Sequence, residues 1–179
     1  FAGGSSSGVY FSSNYGTNWT QTSLNSQLVF ALLNSGNNVY AGTFNAGAYI
    51  STNNGSNWSQ VSMGGNMTVW AFCLSGSNIF AGTFNPVTSN MGVHRSTDNG
   101  VSWVLAGVNN REVRSLAANG SYIFAGTIDS GIFISSNSGV NWFKSSLNNR
   151  NVRSIGINNN MIYAGSLNSQ GVIISDNNG

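Results

Sequence analysis

Six cations are spread over the 179-residue chain, and four of them fall in one phrase written twice: Asn110-Arg111-Glu112-Val113-Arg114-Ser115 and Asn149-Arg150-Asn151-Val152-Arg153-Ser154. A guanidinium presents a planar fork of donors that suits planar anions. Earlier in the chain the same place is held by Gln27-Leu28-Val29-Phe30 and Met67-Thr68-Val69-Trp70. Phe30, Trp70, Arg114 and Arg153 are therefore equivalent positions. Aromatic faces stack on sugars and apolar groups, so Phe30, Trp70, Arg111, Arg114, Arg150 and Arg153 form the candidate ligand-binding set. A structural reading stands beside it. Phe30 and Trp70 can fill the gap between repeats, while Arg114 and Arg153 stack on neighbours or pair with Glu112 and backbone carbonyls.

The acids are Asp98, Glu112, Asp129 and Asp176. A glycosidase of the usual kind needs two carboxylates facing each other across one bond. Asp98 and Asp176 belong to a turn motif, and nothing in the spacing brings Glu112 and Asp129 to catalytic separation. No catalytic residue is assigned, and a non-enzymatic protein is expected. His94 and Cys73 are the only residues of their kinds, which is too few for a zinc site. No dense carboxylate loop suggests calcium and no Gly-rich loop suggests a phosphate group, so neither metal nor cofactor is expected. By repeat alignment Cys73 takes an inner-strand slot shared with Leu33, Ala117 and Gly156, where a buried, inert thiol is expected. His94 takes the slot of Tyr10, Tyr49, Phe133 and Ile173.

The elements that position these residues come from a repeat. Ser12-Ser13-Asn14-Tyr15-Gly16-Thr17-Asn18-Trp19 recurs as residues 51–58, 96–103 and 135–142, and begins again at Ser175-Asp176-Asn177-Asn178-Gly179. The pattern is S-x-[N/D]-x-G-x-x-W, and its glycines are spaced 39, 45, 39 and 40 residues apart. A second phrase keeps the same beat: Phe1-Ala2-Gly3, Tyr40-Ala41-Gly42, Phe80-Ala81-Gly82, Phe124-Ala125-Gly126 and Tyr163-Ala164-Gly165. A period near 40 suits a four-stranded propeller blade. The content between beats is β: Gln27–Leu33, Val39–Phe44, Ala48–Ser51 and Trp58–Val61 read as four strands separated by Asn, Gly and Ser turns.

The turn phrase explains itself locally. Gly16, Gly55, Gly100 and Gly139 can take the positive φ that a tight turn requires. Asn14, Asn53, Asp98 and Asn137 can cap backbone N–H groups, and Trp19, Trp58, Trp103 and Trp142 can cover the turn. The pattern resembles the Asp-box (BNR) repeat of β-propellers such as sialidases, sortilin-type receptors, xyloglucan-cleaving enzymes and photosystem II assembly factors. The resemblance spans essentially the whole chain. It implies an all-β propeller of four-stranded antiparallel blades and says little about activity. Asn stands for the family's Asp in all complete copies except the one with Asp98, and Asn offers the same acceptor.

The whole chain, residues 1–179, reads as a single propeller segment: a partial blade at 1–26, blades at 27–66, 67–111 and 112–150, and a partial blade at 151–179. Both ends supply the second and third strands, so they cannot complete one shared blade. Further blades or other copies are expected to close the ring. Strand direction alternates, so the loops entering each blade and those joining its second and third strands share one face; the turn phrases lie on the other. The longest loop, Phe84–Met91, belongs to the first face with the candidate set.

Charged residues make up only 6% of the chain and the net charge is +2, against roughly 25% charged in ordinary soluble domains. That excludes a nucleic-acid-binding face. No apolar run reaches the roughly 18 residues of a membrane span. An uncharged surface rich in Asn and Ser is common on secreted bacterial proteins, so an extracellular or cell-surface setting is expected; no signal peptide lies within this segment, and a removed one would leave no trace in it. The leading expectation is a non-enzymatic binding or scaffold module that holds a protein segment or a glycan. The alternatives are a part of a larger glycoside hydrolase-type propeller whose acids lie elsewhere, and a structural subunit that assembles into a ring or filament through its blade edges.

Overall fold

A computed structural model describes residues 1–64, 66–167 and 171–176. Among these residues there are strands and turns but no helix. The strands form five antiparallel sheets, each a meander in chain order. The first holds β1 (Ala2–Gly3), β2 (Val9–Phe11) and β3 (Thr20–Gln21). The second holds β4 (Val29–Ser35), β5 (Asn38–Thr43), β6 (Ala48–Ser51) and β7 (Ser59–Val61). The third holds β8 (Thr68–Ser75), β9 (Asn78–Phe84), β10 (Val93–Ser96) and β11 (Val104–Gly107). The fourth holds β12 (Val113–Asn119), β13 (Tyr122–Thr127), β14 (Ile132–Ser135) and β15 (Phe143–Lys144). The fifth holds β16 (Asn151–Asn158), β17 (Met161–Leu167) and β18 (Val172–Ser175). These are propeller blades, three of four strands and two of three. The last copy of the turn phrase runs into Asn177–Gly179, outside the described residues.

One register repeats through the blades. Leu33 faces Tyr40, Cys73 faces Phe80, Ala117 faces Phe124 and Gly156 faces Tyr163. The first full inner strand starts at Val29 rather than Gln27. The Gln27 carbonyl is drawn away to the N–H of Gly8 in the preceding blade, at 3.0 Å.

Blade packs on blade through the two repeated phrases, which is why they keep the same beat. A Cβ built on Gly3, Gly42, Gly82 or Gly126 would lie 2.8 Å from Cγ1 of Val29, Val69, Val113 or Val152, the inner-strand valine of the next blade. A Cβ on Gly55, Gly100 or Gly139 would lie 2.5 Å from a ring carbon of Phe1, Tyr40 or Phe80 in the preceding blade. The phrases at Phe1, Tyr40 and Phe80 thus each touch the next blade twice, once at the inner strand and once at the turn phrase. Tyr40 adds a hydrogen bond, its hydroxyl donating to the Asn99 carbonyl at 2.9 Å. The hydrophobic clusters lie at these junctions; one gathers Val9, Leu24, Val29 and Ala41, another Phe124, Ile132, Ile134, Val152, Ile162 and Ala164. Phe80 and Phe124 are at most 1% exposed, and burial of such a ring stabilises by about 1.5–3 kcal/mol.

The turn phrases share one hydrogen-bond pattern. In the second copy Ser51 Oγ accepts from the N–H of Gly55 at 2.8 Å and donates to Asn53 Oδ1 at 3.0 Å, and Asn53 Oδ1 accepts from the N–H of Asn57 at 2.9 Å. Asn14, Asp98 and Asn137 do the same in their copies. Two consecutive residues are left-handed: Asn54 at φ 53° precedes Gly55 at 82°, and Tyr15, Asn99 and Ser138 repeat this before Gly16, Gly100 and Gly139. The tryptophans differ. Trp58 and Trp103 donate Nε1–H to the Gly55 and Gly100 carbonyls at 3.1 and 3.0 Å. Trp142 leaves Nε1 buried and unpaired, its ring against Gly107, and Trp19 is 47% exposed.

Candidate functional site

The four equivalent candidates share a backbone feature that their spacing did not reveal. The inner-strand register slips between Val29 and Ala31, Val69 and Ala71, Val113 and Ser115, and Val152 and Ser154. Phe30, Trp70, Arg114 and Arg153 are each the extra residue of a β-bulge. A bulge re-aims its side chain away from the strand's regular alternation. Here the same device recurs in four adjacent blades.

Three of the four stack. The Phe30 and Trp70 rings lie 4.2 Å apart, tilted by 33°. The Arg114 guanidinium carbon sits 3.5 Å over the Trp70 ring. Phe44 meets Phe30 edge-on at 6.2 Å. The strip runs ring, ring, guanidinium across three blades, with Arg153 in the fourth. Arg114 is already engaged: Nη2 pairs with Glu112, which is 8% exposed, and Nε is buried without a hydrogen-bond partner. Burial lowers the pKa of Arg114; Glu112 opposes this and the charge of Arg153 adds to it. Arg153 is exposed and donates Nε–H to Asn151 Oδ1 at 3.0 Å. Among the described residues neither Arg153 nor Arg150 has an acidic partner. The open parts of the strip are the Phe30 and Phe44 rings, 40% and 45% exposed, and the Arg153 fork.

Arg111 and Arg150 stand two residues before the valines Val113 and Val152, in the loops that enter the blades. Arg111 pairs with Asp129 at 3.0 Å, both half-exposed, and lines a separate groove with Val108, Phe133 and Trp142. The backbone of Arg150 has a structural role, since its carbonyl accepts from the N–H of Gly131 at 3.0 Å, as that of Gln27 does from Gly8. The expected convergence of all six candidates narrows to Phe30, Trp70, Arg114 and Arg153. The long loop is held by Asn85, whose Oδ1 accepts from the N–H groups of Val87 and Thr88, and by Asn90, which donates to the Met63 carbonyl at 3.4 Å.

Glu112, Asp129, Asp98, His94 and Cys73 each have a local partner or are sealed away. Glu112 faces Arg114 and Asp129 faces Arg111. Asp98, bound by Ser102 and Ser96, has its pKa lowered to about 2. His94 is 2% exposed with Nδ1 3.2 Å from Thr83 Oγ1, and burial pushes its pKa down to about 4. Burial pushes the Cys73 thiol up to about 12, so it is not a nucleophile at neutral pH. Among the described residues no three metal-ligating side chains gather, and no helix is long and apolar enough to cross a membrane.

No family model matches the chain, and no curated protein matches it. Solved structures do. An ancestral GH74 enzyme aligns with TM-score 0.69 and 28% identity over 86% of this chain and 23% of its own. PorZ, a surface component of the type-IX secretion system of Porphyromonas gingivalis, aligns with TM-score 0.69 and 14% identity over 98% of this chain and 31% of its own. The computationally designed Ika4 protein aligns with TM-score 0.67 and 14% identity, over 83% of this chain and 91% of its own. The chain thus spans less than a third of the ancestral GH74 enzyme and of PorZ. What it has in common with them is the β-propeller fold.

Proposed function

We propose that the chain is a binding module of the Asp-box propeller kind, exported to the bacterial surface or beyond, that holds a protein segment or glycan and catalyses no reaction. The observation that carries this reading is the bulge strip, where four adjacent blades turn a side chain out of the sheet at the same point. Trp70 and Arg114 form its packed centre. Phe30 and Phe44 offer ring surface to an apolar or sugar face, and Arg153 offers a free fork to an anionic group. A ligand with both features, such as an acidic oligosaccharide or an acidic peptide containing an apolar residue, matches the strip. The test is an array of neutral and acidic oligosaccharides and peptides probed with the native chain and with a Phe30→Ala/Arg153→Ala double variant. Ligands retained by the native chain and lost by the variant are expected; a variant that binds the same set as strongly would remove the strip from consideration.

One observation favours a second reading. The similarity to a GH74 enzyme reaches 28% identity over 86% of this chain, which fits a part of a larger glycoside-cleaving propeller. Hydrolysis of a β-glucan by the chain within its longest natural sequence, lost on replacing inward Asp or Glu in further blades, would establish it.

A further inference from the structure

The outer junction between the third and fourth blades, both of which have all four strands, departs from the repeat at several neighbouring positions. Four residues after each turn-phrase tryptophan stands a serine, Ser23, Ser62 or Ser146, except in the third blade, where Gly107 takes the place. At the first junction Ser23 Oγ donates to the Ser56 carbonyl at 3.1 Å and ties the outer strand to the next turn phrase. Gly107 has no side chain to make that tie. The Trp142 ring lies against it instead, and a Cβ there would collide with the indole. In this position Trp142 gives up the carbonyl bond that Trp58 and Trp103 keep, and its Nε1 is left buried without a partner. The next residue is strained. Val108 has φ +55°, a left-handed conformation that β-branched residues rarely adopt, whereas Leu24, Met63 and Leu147 in the same slot are not left-handed. Local rules broken together in this way collect at functional sites.

What these departures leave is an open groove of about 510 Å³, where the corresponding groove at the first junction holds about 250 Å³. Small-molecule pockets run from about 300 to 1,000 Å³. Trp142, Phe133 and Val108 line it together with Val140, which is 63% exposed and stands where the first two turn phrases have Thr17 and Ser56. Its polar side chains are the exposed Asn109 and Asn141 and the guanidinium of Arg111. Asp129 pairs with Arg111 at 3.0 Å and cancels that charge.

We infer that this groove is a second binding site and that its ligand is a neutral sugar unit of a glycan. A pyranose has an apolar C–H face and a rim of hydroxyls. The face suits the aromatic rings and the valines. The hydroxyls need donors and acceptors side by side, which the two Asn amides supply. With its one cation neutralised the groove attracts neither an anion nor a cation, unlike the free Arg153 fork. None of Phe30, Trp70, Arg114 and Arg153 lines it, so the groove and the bulge strip bind separately.

The indole N–H resonances of the isotope-labelled chain test this, with that of Trp142 assigned through Trp142→Phe. The probes are the methyl glycosides of glucose, galactose, mannose, xylose and N-acetylglucosamine, each raised to about 10 mM, a range that registers millimolar Kd values. At least one is expected to move the Trp142 resonance saturably. Val140→Arg, at an exposed position, fills the groove without disturbing the core and should weaken that Kd at least about tenfold. The Phe30→Ala/Arg153→Ala variant should respond as the native chain does, and loss of the response there would place the effect at the strip and overturn the inference. A Trp142 resonance unmoved by every glycoside overturns it, and so does an undiminished response in Val140→Arg. Stronger binding of glucuronate, or of an end-blocked Ala-Val-Phe peptide, than of every neutral glycoside would give the groove a different ligand and overturn it too.

Discussion

The contact between turn-phrase glycine and preceding aromatic predicts a specific cost for Gly139→Ala. Gly139 has φ +79°, and an added Cβ would lie 2.5 Å from Phe80 Cε1, inside a ring that is fully buried. The backbone term alone is about 1 kcal/mol for a left-handed alanine. Overpacking against a ring that cannot move adds about 1–3 kcal/mol. The structure provides its own control at Gly120, where φ is +59° and a Cβ would meet nothing within 4 Å. Gly120→Ala should therefore cost about 1 kcal/mol, and Gly139→Ala about 2–4 kcal/mol. Urea unfolding of both variants, with unchanged slopes, measures the difference. In a Phe80→Leu background the excess at Gly139 should shrink by at least about 1 kcal/mol, since contacting residues couple. Equal costs at Gly120 and Gly139, or no coupling with Phe80, would refute the view that the two repeated phrases hold blades together.

Arg114→Met strands Glu112 in a buried position and should destabilise by about 1–3 kcal/mol, while adding Glu112→Gln restores most of that; thermal melts of the single and double variants check it. His94→Phe should remove a loss of stability on acidification. The folded pKa of His94 lies at about 4, below its ordinary 6.5, so the unfolded chain binds the extra proton and stability falls as pH drops from 6.5 to 4, by about 3 kcal/mol at most. Asp98→Asn should remove a smaller acid-dependent component. The depressed carboxylate stabilises above its ordinary pKa of 3.8, and that contribution is lost as pH falls to about 2; unfolding at pH 6 and pH 2 compares the variant with the native chain. Cys73 should react with an alkylating reagent only under denaturing conditions, as mass spectrometry would detect.

Repeat spacing made the blades and their strand order legible, because each repeat must bury the same face against its neighbour. Slots read by alignment, such as Cys73 with Leu33 and His94 with Tyr49, appear in the observed register. The bulges were not legible. A bulge adds one residue without a compositional mark, and Phe30, Trp70, Arg114 and Arg153 have no side-chain chemistry in common. The signal available was the invariant valine before each of them, set opposite an equally invariant glycine one blade back. The stacking of Arg114 on a neighbouring blade and its pairing with Glu112 were legible from the sequence, whereas the pairing of Arg111 with Asp129 was hidden, since it depends on which way a loop turns.

That valine separates what the fold demands from what it leaves free. Val29, Val69, Val113 and Val152 are identical because each lies against a glycine of the previous blade at a distance that admits no extra carbon. One residue later the bulge lifts the chain out of the junction, and the residue there changes from Phe to Trp to Arg to Arg. Strict identity beside free variation, in four copies within one chain, is what results when packing fixes one position and releases the next. A substitution of Val69 by Ala should accordingly lower stability by about 1–3 kcal/mol through the cavity it leaves. Replacement of Phe30, 40% exposed, should cost less stability and change what the strip can hold.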